Sequence, residues 1–272
     1  MPSPSRIALM ALLPSILLLP VAASNAQDVA QTDSERRAAY LALAELPPMA
    51  GVWQADWPMV TRLRAAEASA PLTDAARAQV DRFMAARSQG ENLQTQGANC
   101  LPSGLPGSMR YPYPFEIIFA PGKVNIIIET HSQLRQIFTD GRALPDDPDP
   151  LFNGSSVGFW QDGVLHIETV GLTDQISILE AIHPTPQTRI EEAIWLTAPG
   201  QMMIRTTITD PALFTEPYVT ELAYKLEPTW NLREYVCAEN NRDAADESGR
   251  PGMDLGLDDP ELDFPPAEDT QS

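Results

Sequence analysis

The stretch from Gln133 to Val170, QLRQIFTDGRALPDDPDPLFNGSSVGFWQDGVLHIETV, constrains the fold more than any other part of the chain. Three short apolar runs frame a loop dense in Asp, Arg, Gly and Pro. Runs of this length, bounded by turn residues, read as β-strands. The same texture continues on both sides. Strands are expected at Phe115 to Ala120, Val124 to His131, Gln133 to Thr139, Val157 to Trp160, Val164 to Val170, Arg189 to Leu196, Met202 to Thr209, Tyr218 to Leu226 and Leu232 to Cys237. Pro121-Gly122, Gln161-Asp162-Gly163 and Ala198-Pro199-Gly200 are hairpin signals. No helix-length pattern separates the strands, which argues against a parallel sheet. The expected fold is mainly β: an antiparallel meander forming a lipocalin-like β-barrel, or a sandwich, with short N-terminal helices.

The segment before Cys100 is different. Ser34 to Ala44 carries a helical pattern with Ser34 as N-cap, behind a short leader from Gln27 to Thr32. Asp56-Trp57-Pro58 opens a second helix, with Pro58 early, where its missing N–H costs nothing. Thr73 caps a third, whose apolar stripe is Ala76, Val80, Phe83 and Met84, with Gly90 just past its end. These helices, residues 27–99, are expected to pack on a barrel domain spanning residues 100–239. Asn240 to Ser272 holds ten acidic residues against two basic and no periodicity, and reads as a disordered acidic tail.

Residues 1–26 look like an export signal: Arg6, then the apolar run Ile7 to Val21, then Ser24-Asn25-Ala26 as a cleavage site before Gln27. The run is shorter than the ~20 apolar residues that span a bilayer. A periplasmic or secreted protein, with no membrane insertion after cleavage, is therefore expected. In an oxidising compartment the two cysteines, Cys100 and Cys237, are expected to pair; two separate buried thiols are the alternative. The net charge of -19 disfavours nucleic acid and anionic lipid as partners.

Several phrases together resemble a family of exported bacterial β-rich proteins, most of them domains of unknown function. They are Cys100 to Pro106 (CLPSGLP), Tyr111 to Pro114 (YPYP), Arg135 to Arg142 (RQIFTDGR), Asn153 to Trp160 (NGSSVGFW), Val164 to Gly171, Ile208 to Pro211 (ITDP) and Glu234 to Asn240 (EYVCAEN). The resemblance spans Gly51 to Arg242. It implies a compact β-barrel and export, and brings no reaction, substrate or catalytic residue. Two positions depart from the family pattern. Gln161-Asp162-Gly163 stands where a glycine-aspartate pair commonly follows the hairpin Trp, and His183-Pro184-Thr185 where a His-Ser step is common.

The chemistry-bearing residues gather on the strands. Asp140-Gly141-Arg142 is a turn signal, and also a carboxylate and a guanidinium at a cavity mouth. His166 and Glu168 alternate on one strand and share a face, as do Glu129 and His131. Outward, these pairs are solvated; inward, they build a polar site in an apolar hollow. Glycine loops for phosphates, a GxSxG elbow and metal-ligand spacings are absent from the sequence. No cofactor and no metal are expected.

Three readings follow. The first is a cofactor-independent acid/base lyase or isomerase acting on a small apolar or aromatic molecule. His131 or His166 is its base, Asp140 or Glu168 orients the base, and Arg142 with Tyr113 binds a substrate oxygen in a cavity that Trp160 helps to line. Proton transfer by a placed side chain is worth ~100- to 10,000-fold. The second is a non-catalytic periplasmic carrier of the same kind of ligand. The third is an envelope scaffold without a cavity. The first two rest on a hollow barrel that admits imidazole and carboxylate groups. Oligomeric state is not legible.

Overall fold

A computed structural model describes residues 26–90, 100–111 and 113–237, with side chains from residue 32. The expected export signal, residues 1–26, lies outside the described residues except for Ala26, and so does the expected acidic tail. The first helix, α1 (Ala26–Leu41), starts at Ala26 rather than Ser34, through a segment rich in Ala and Gln that resists helix less than a leader would. It belongs to a unit, ending at Leu41, that is distinct from the one beginning at Ala42.

The second unit is a closed barrel of nine strands. They are β1 (Gly51–Ala55), β2 (Phe115–Ala120), β3 (Lys123–Ile128), β4 (Gln133–Phe138), β5 (Ser155–Gln161), β6 (Val164–Val170), β7 (Arg189–Ala198), β8 (Gln201–Thr209) and β9 (Tyr218–Leu226). Sequence neighbours are barrel neighbours, and β1 pairs with β9 to close the ring. Every pair is antiparallel except β4 and β5, which run parallel and meet only at Ile137↔Ser156 and Phe138↔Val157. This corrects the all-antiparallel expectation. Nine is odd, so strand direction cannot alternate all the way round, and one neighbouring pair has to run parallel.

Two strand assignments change. β1, GVWQA, is a five-residue strand in the segment expected to be helical, so the barrel starts at Gly51 rather than at residue 100. Leu232 to Cys237 is not a strand; β1 takes the place between β2 and β9. The β3 strand also stops at Ile128. Glu129 to Ser132 form a tight turn in which His131 adopts φ 57°, so Glu129 and His131 do not alternate on a strand.

Local signals set the remaining elements. Asp56 caps α2 (Trp57–Ala66) by accepting the Met59 N–H at 2.8 Å, with Pro58 in the first turn. Thr73 caps α3 (Asp74–Ser88) through the Ala76 N–H at 3.2 Å. Asp162 and Gly163 both take positive φ, as a two-residue turn between twisted strands demands. Both helices are fastened to the barrel domain. The Asp56 N–H donates to the Ala223 carbonyl at 2.8 Å, and the Thr73 N–H donates to the Leu213 carbonyl at 2.9 Å. No described helix is long and apolar enough to cross a membrane.

The barrel is not hollow. Its inward residues alternate along each strand: Phe115 and Ile117, Val124, Ile126 and Ile128, Leu165 and Ile167, Ile190 and Ile194, Met202 and Ile204 are all buried. Each large apolar side chain withdrawn from water stabilises the fold by roughly 1.5–3 kcal/mol. Trp53 is fully buried and its indole N–H donates to the Met49 carbonyl at 2.8 Å. A void between Arg110, Glu192, Thr206 and Tyr224 measures about 10 Å³, at the limit for one water. The expectation of an open interior is thus overturned by the aliphatic side chains that fill it.

Cys100 and Cys237 form a disulfide across a sequence separation of 137. It ties the segment before β2 to the strap that follows β9. Replacing both cysteines, Cys100→Ser with Cys237→Ser, should lower the unfolding free energy by about 2–5 kcal/mol. A urea titration reads this as a lower midpoint, with α2 and β-sheet circular dichroism retained in water.

Candidate cleft at the parallel seam

The parallel junction leaves a notch in the barrel wall. β4 contacts β5 only through its last two residues, so the edge of β4 from Gln133 to Arg135 has no strand beside it among the described residues. The link from Thr139 to Gly154 runs back along this edge. Pro145, Pro148 and Pro150 keep it from becoming a crossover helix. The link is pinned at its far end, where the Leu151 N–H donates to the Gly171 carbonyl at 2.9 Å and the Thr173 N–H to the Leu151 carbonyl at 3.0 Å. Gly154 has φ 63°, and a Cβ there would lie 2.6 Å from the Val170 carbonyl oxygen. Only glycine fits both the conformation and the approach.

Between β4, the start of β5 and this link lies a cleft of about 460 Å³. Leu134, Phe138, Leu144, Leu151 and Val157 supply its apolar lining; Gln136, Arg142, Asn153 and Ser155 supply polar groups. At the rim, Arg142 lies over the Phe138 ring, 3.8 Å from its centroid. Both Asp140 carboxylate oxygens accept from Arg142, Oδ1 from Nε at 2.9 Å and Oδ2 from Nη2 at 2.6 Å. These hydrogen bonds hold the Asp140 carboxyl below the usual range.

Beneath the seam lies a buried charge pair. Arg135 points inward and is 1% exposed. Its Nη1 donates to Glu192 Oε1 on β7 at 3.2 Å, Nη2 bonds Glu192 Oε2, and Nη2 also reaches Thr169 Oγ1 on β6 at 3.3 Å. Thr169 shares a 2.8 Å hydrogen bond with Ser156 on β5. The network therefore links β4, β5, β6 and β7 from inside. Arg135 and Asn153 both line the cleft, and each has a buried polar atom without a hydrogen-bond partner: Arg135 Nε and Asn153 Oδ1. Two other clefts, about 640 Å³ beside Thr229–Arg233 and about 630 Å³ beside the Gly200 turn, contain no such residue in their linings.

The structure brings Asp140 and Arg142 together at the rim and disperses the other expected site residues. His166 and Glu168 face outward on β6. His166 stacks on Phe159, with centroids 5.0 Å apart, and Glu168 pairs with Arg189. Trp160 turns toward the core beside Phe119, edge to face at 5.8 Å. His131 lies before the start of β4, the opposite end from Asp140, about 17 Å away along six strand residues. There it meets Tyr235 of the strap, with ring centroids 5.0 Å apart. Tyr113 meets the same Tyr235 ring at 5.5 Å, and burial and the Tyr235 hydroxyl raise its phenol pKa. His131 Nδ1 bonds the Thr130 hydroxyl at 2.9 Å, Nε2 is buried without a partner, and burial lowers the imidazole pKa. His183 is exposed, its Nδ1 bonded to the Ile176 carbonyl at 2.7 Å.

Sequence reasoning missed Arg135, Glu192 and Asn153. A signal was available. Arg135 sits between Gln133 and Ile137, and Glu192 between Ile190 and Ile194, so each charge occupies an inward position of an alternating strand. Asp210 of the ITDP phrase is likewise buried. It caps a loop by accepting from Thr185 Oγ1 at 2.8 Å and from the Ala212 N–H at 2.9 Å. No cluster of metal-ligating side chains occurs among the described residues. Compared with known proteins, the chain matches no family model and no curated protein. The family resemblance therefore rests on the quoted phrases alone.

Two outcomes follow from this geometry. Glu192→Gln leaves a buried guanidinium without its counter-charge and should cost about 3–5 kcal/mol of stability, whereas Arg135→Met with Glu192→Leu should be near neutral; paired denaturant curves distinguish them. His131 has a lowered folded pKa, so its stability contribution is full above the ordinary 6.5 and is lost as pH falls through the depressed folded value. Stability measured between pH 7 and pH 5 should fall less in His131→Asn, which tolerates the positive φ, than in the parent.

Proposed function

We propose that the protein is an exported binding protein for a small apolar or aromatic molecule, held in the seam cleft on the outer wall and not in the barrel interior, which side chains fill. The observation that carries this reading is the notch between β4 and β5: an apolar concavity with a few convergent polar groups, set in the wall of an otherwise filled barrel. The RQIFTDGR and NGSSVGFW phrases supply most of its lining, which gives those phrases a role beyond turn formation.

The disulfide supports export, because such a bond persists in an oxidising compartment. The apolar run from Ile7 to Val21 supports it independently. Binding without turnover has better geometric support than lyase or isomerase chemistry. A general base must reach the proton it removes within about 3 Å or through one water. Yet His131 and His166 stand away from the cleft, and Asp140 is held ionised by Arg142.

N-phenyl-1-naphthylamine, a neutral aromatic probe whose emission rises in apolar surroundings, tests the reading. The wild-type protein should bind it saturably, one per chain. Val157→Trp, which fills the cleft from its β5 side, should weaken binding by about tenfold, or ~1.4 kcal/mol, without lowering the melting temperature. Equal affinity in parent and variant would remove the cleft from consideration.

A further inference from the structure

We infer that the cleft beside the strap that follows β9 is a second site, for a neutral saccharide whose pyranose ring stacks on Trp230. The inference is independent of the seam cleft and goes beyond the binding reading above.

Two tryptophans are exposed among the described residues, Trp57 and Trp230. The Trp57 ring has Arg64 over it, 5.5 Å from the centroid. Trp230 has no ring or guanidinium against it among the described residues. It lines the cleft of about 640 Å³, where an indole offers a large, flat apolar face and one N–H. The turn that carries it is fixed on both sides. The Glu227 N–H donates to the Val52 carbonyl on β1 at 2.8 Å, and the Trp230 N–H donates to the Glu227 carbonyl at 3.1 Å. Further along, the Arg233 N–H donates to Glu129 Oε2 at 2.7 Å, and the Cys100–Cys237 disulfide fastens the strap. The platform is in place before a ligand arrives, which spares the entropy of ordering it on binding.

The rest of the lining decides what can lie on that ring. Gln54, Glu129, Asn231 and Arg233 belong to it, and Asn231 and Arg233 are exposed. Amides, carboxylates and guanidiniums each carry two or more hydrogen-bonding atoms in one plane. A wholly apolar ligand would strip water from such groups and give nothing back. One carboxylate and one guanidinium balance, so the lining favours an ion of neither sign. A pyranose meets both demands at once: C–H bonds crowd its faces, and hydroxyls that donate and accept surround its edge. Gln54 also lines the neighbouring cleft of about 630 Å³ beside the Gly200 turn. The two concavities meet at this residue of β1, which suits a short chain of sugars better than a single ring.

Saturation-transfer difference NMR with maltotriose, cellotriose and tri-N-acetylchitotriose tests the inference, because it reads which ligand protons touch the protein. At least one of the three should bind saturably and take up saturation at its ring C–H protons. Trp230→Ala should weaken that trisaccharide by about tenfold. Asn231→Leu, which keeps the indole and removes an amide, should weaken it by about threefold, so the inference stays testable if the alanine variant fails to fold. Toluene should not displace the trisaccharide, and both variants should bind N-phenyl-1-naphthylamine as the parent does. No saturation transfer to any of the three, unchanged affinity in a folded Trp230→Ala or in Asn231→Leu, or displacement by toluene would each overturn the inference and leave the seam-cleft reading untouched.

Discussion

The change of direction between β4 and β5 is the constraint on which the rest of the barrel depends. With β1 closed on β9 and every other pair antiparallel, the wall has one junction where the chain must return along its own path before pairing. A hairpin cannot make that connection, so the link from Thr139 to Gly154 is long, proline-rich and laid over the strand edge. The Asp140–Arg142 clamp, the packing of Arg142 on Phe138 and the close approach of Gly154 to β6 all serve to hold this link in place. The notch is the geometric residue of an odd strand count, and the apolar cleft follows from it.

The interior answers the same weakness. A junction of two residue pairs contributes little backbone bonding to closure. Inside the barrel, Arg135 reaches from β4 past Ser156 and Thr169 to Glu192 on β7. Buried ion pairs are poor sources of net stability, because two desolvated charges offset much of their own attraction. What this pair does supply is register. A slip of β4 by one residue would turn Arg135 outward and leave Glu192 alone among Ile190 and Ile194. A hydrophobic pair at these positions would tolerate the slip far better.

Much of this was legible in the sequence, and the boundary between legible and illegible is physical. Asp56 and Thr73 announce their helices because a cap bonds an N–H three residues away. The Asp162-Gly163 turn is equally local. β1 was missed because GVWQA is short and lies among helices; only its pairing with both β2 and β9 makes it a strand. Leu232 to Cys237 was read as a strand because its composition suits one, whereas the disulfide and the Tyr235 contacts with Tyr113 and His131 fix it as a strap. The fate of the histidines could not be read at all. Whether His166 faces in or out depends on strand register, and whether His131 belongs to β3 depends on a turn that its own positive φ creates. Glu192 is 57 residues from Arg135, a separation at which no local pattern reveals a partner.

The inner network also bears on how the wall opens. β5 borders the junction with the fewest paired residues in the barrel, where a strand would ordinarily fray first. Yet Ser156 is held from within, through Thr169, by a charge pair whose two ends sit on β4 and β7. Peeling β5 away exposes that pair to solvent and disrupts its partners on three other strands at once. Amide protons of β5 should therefore exchange with solvent deuterium through opening of the whole domain rather than by local fraying.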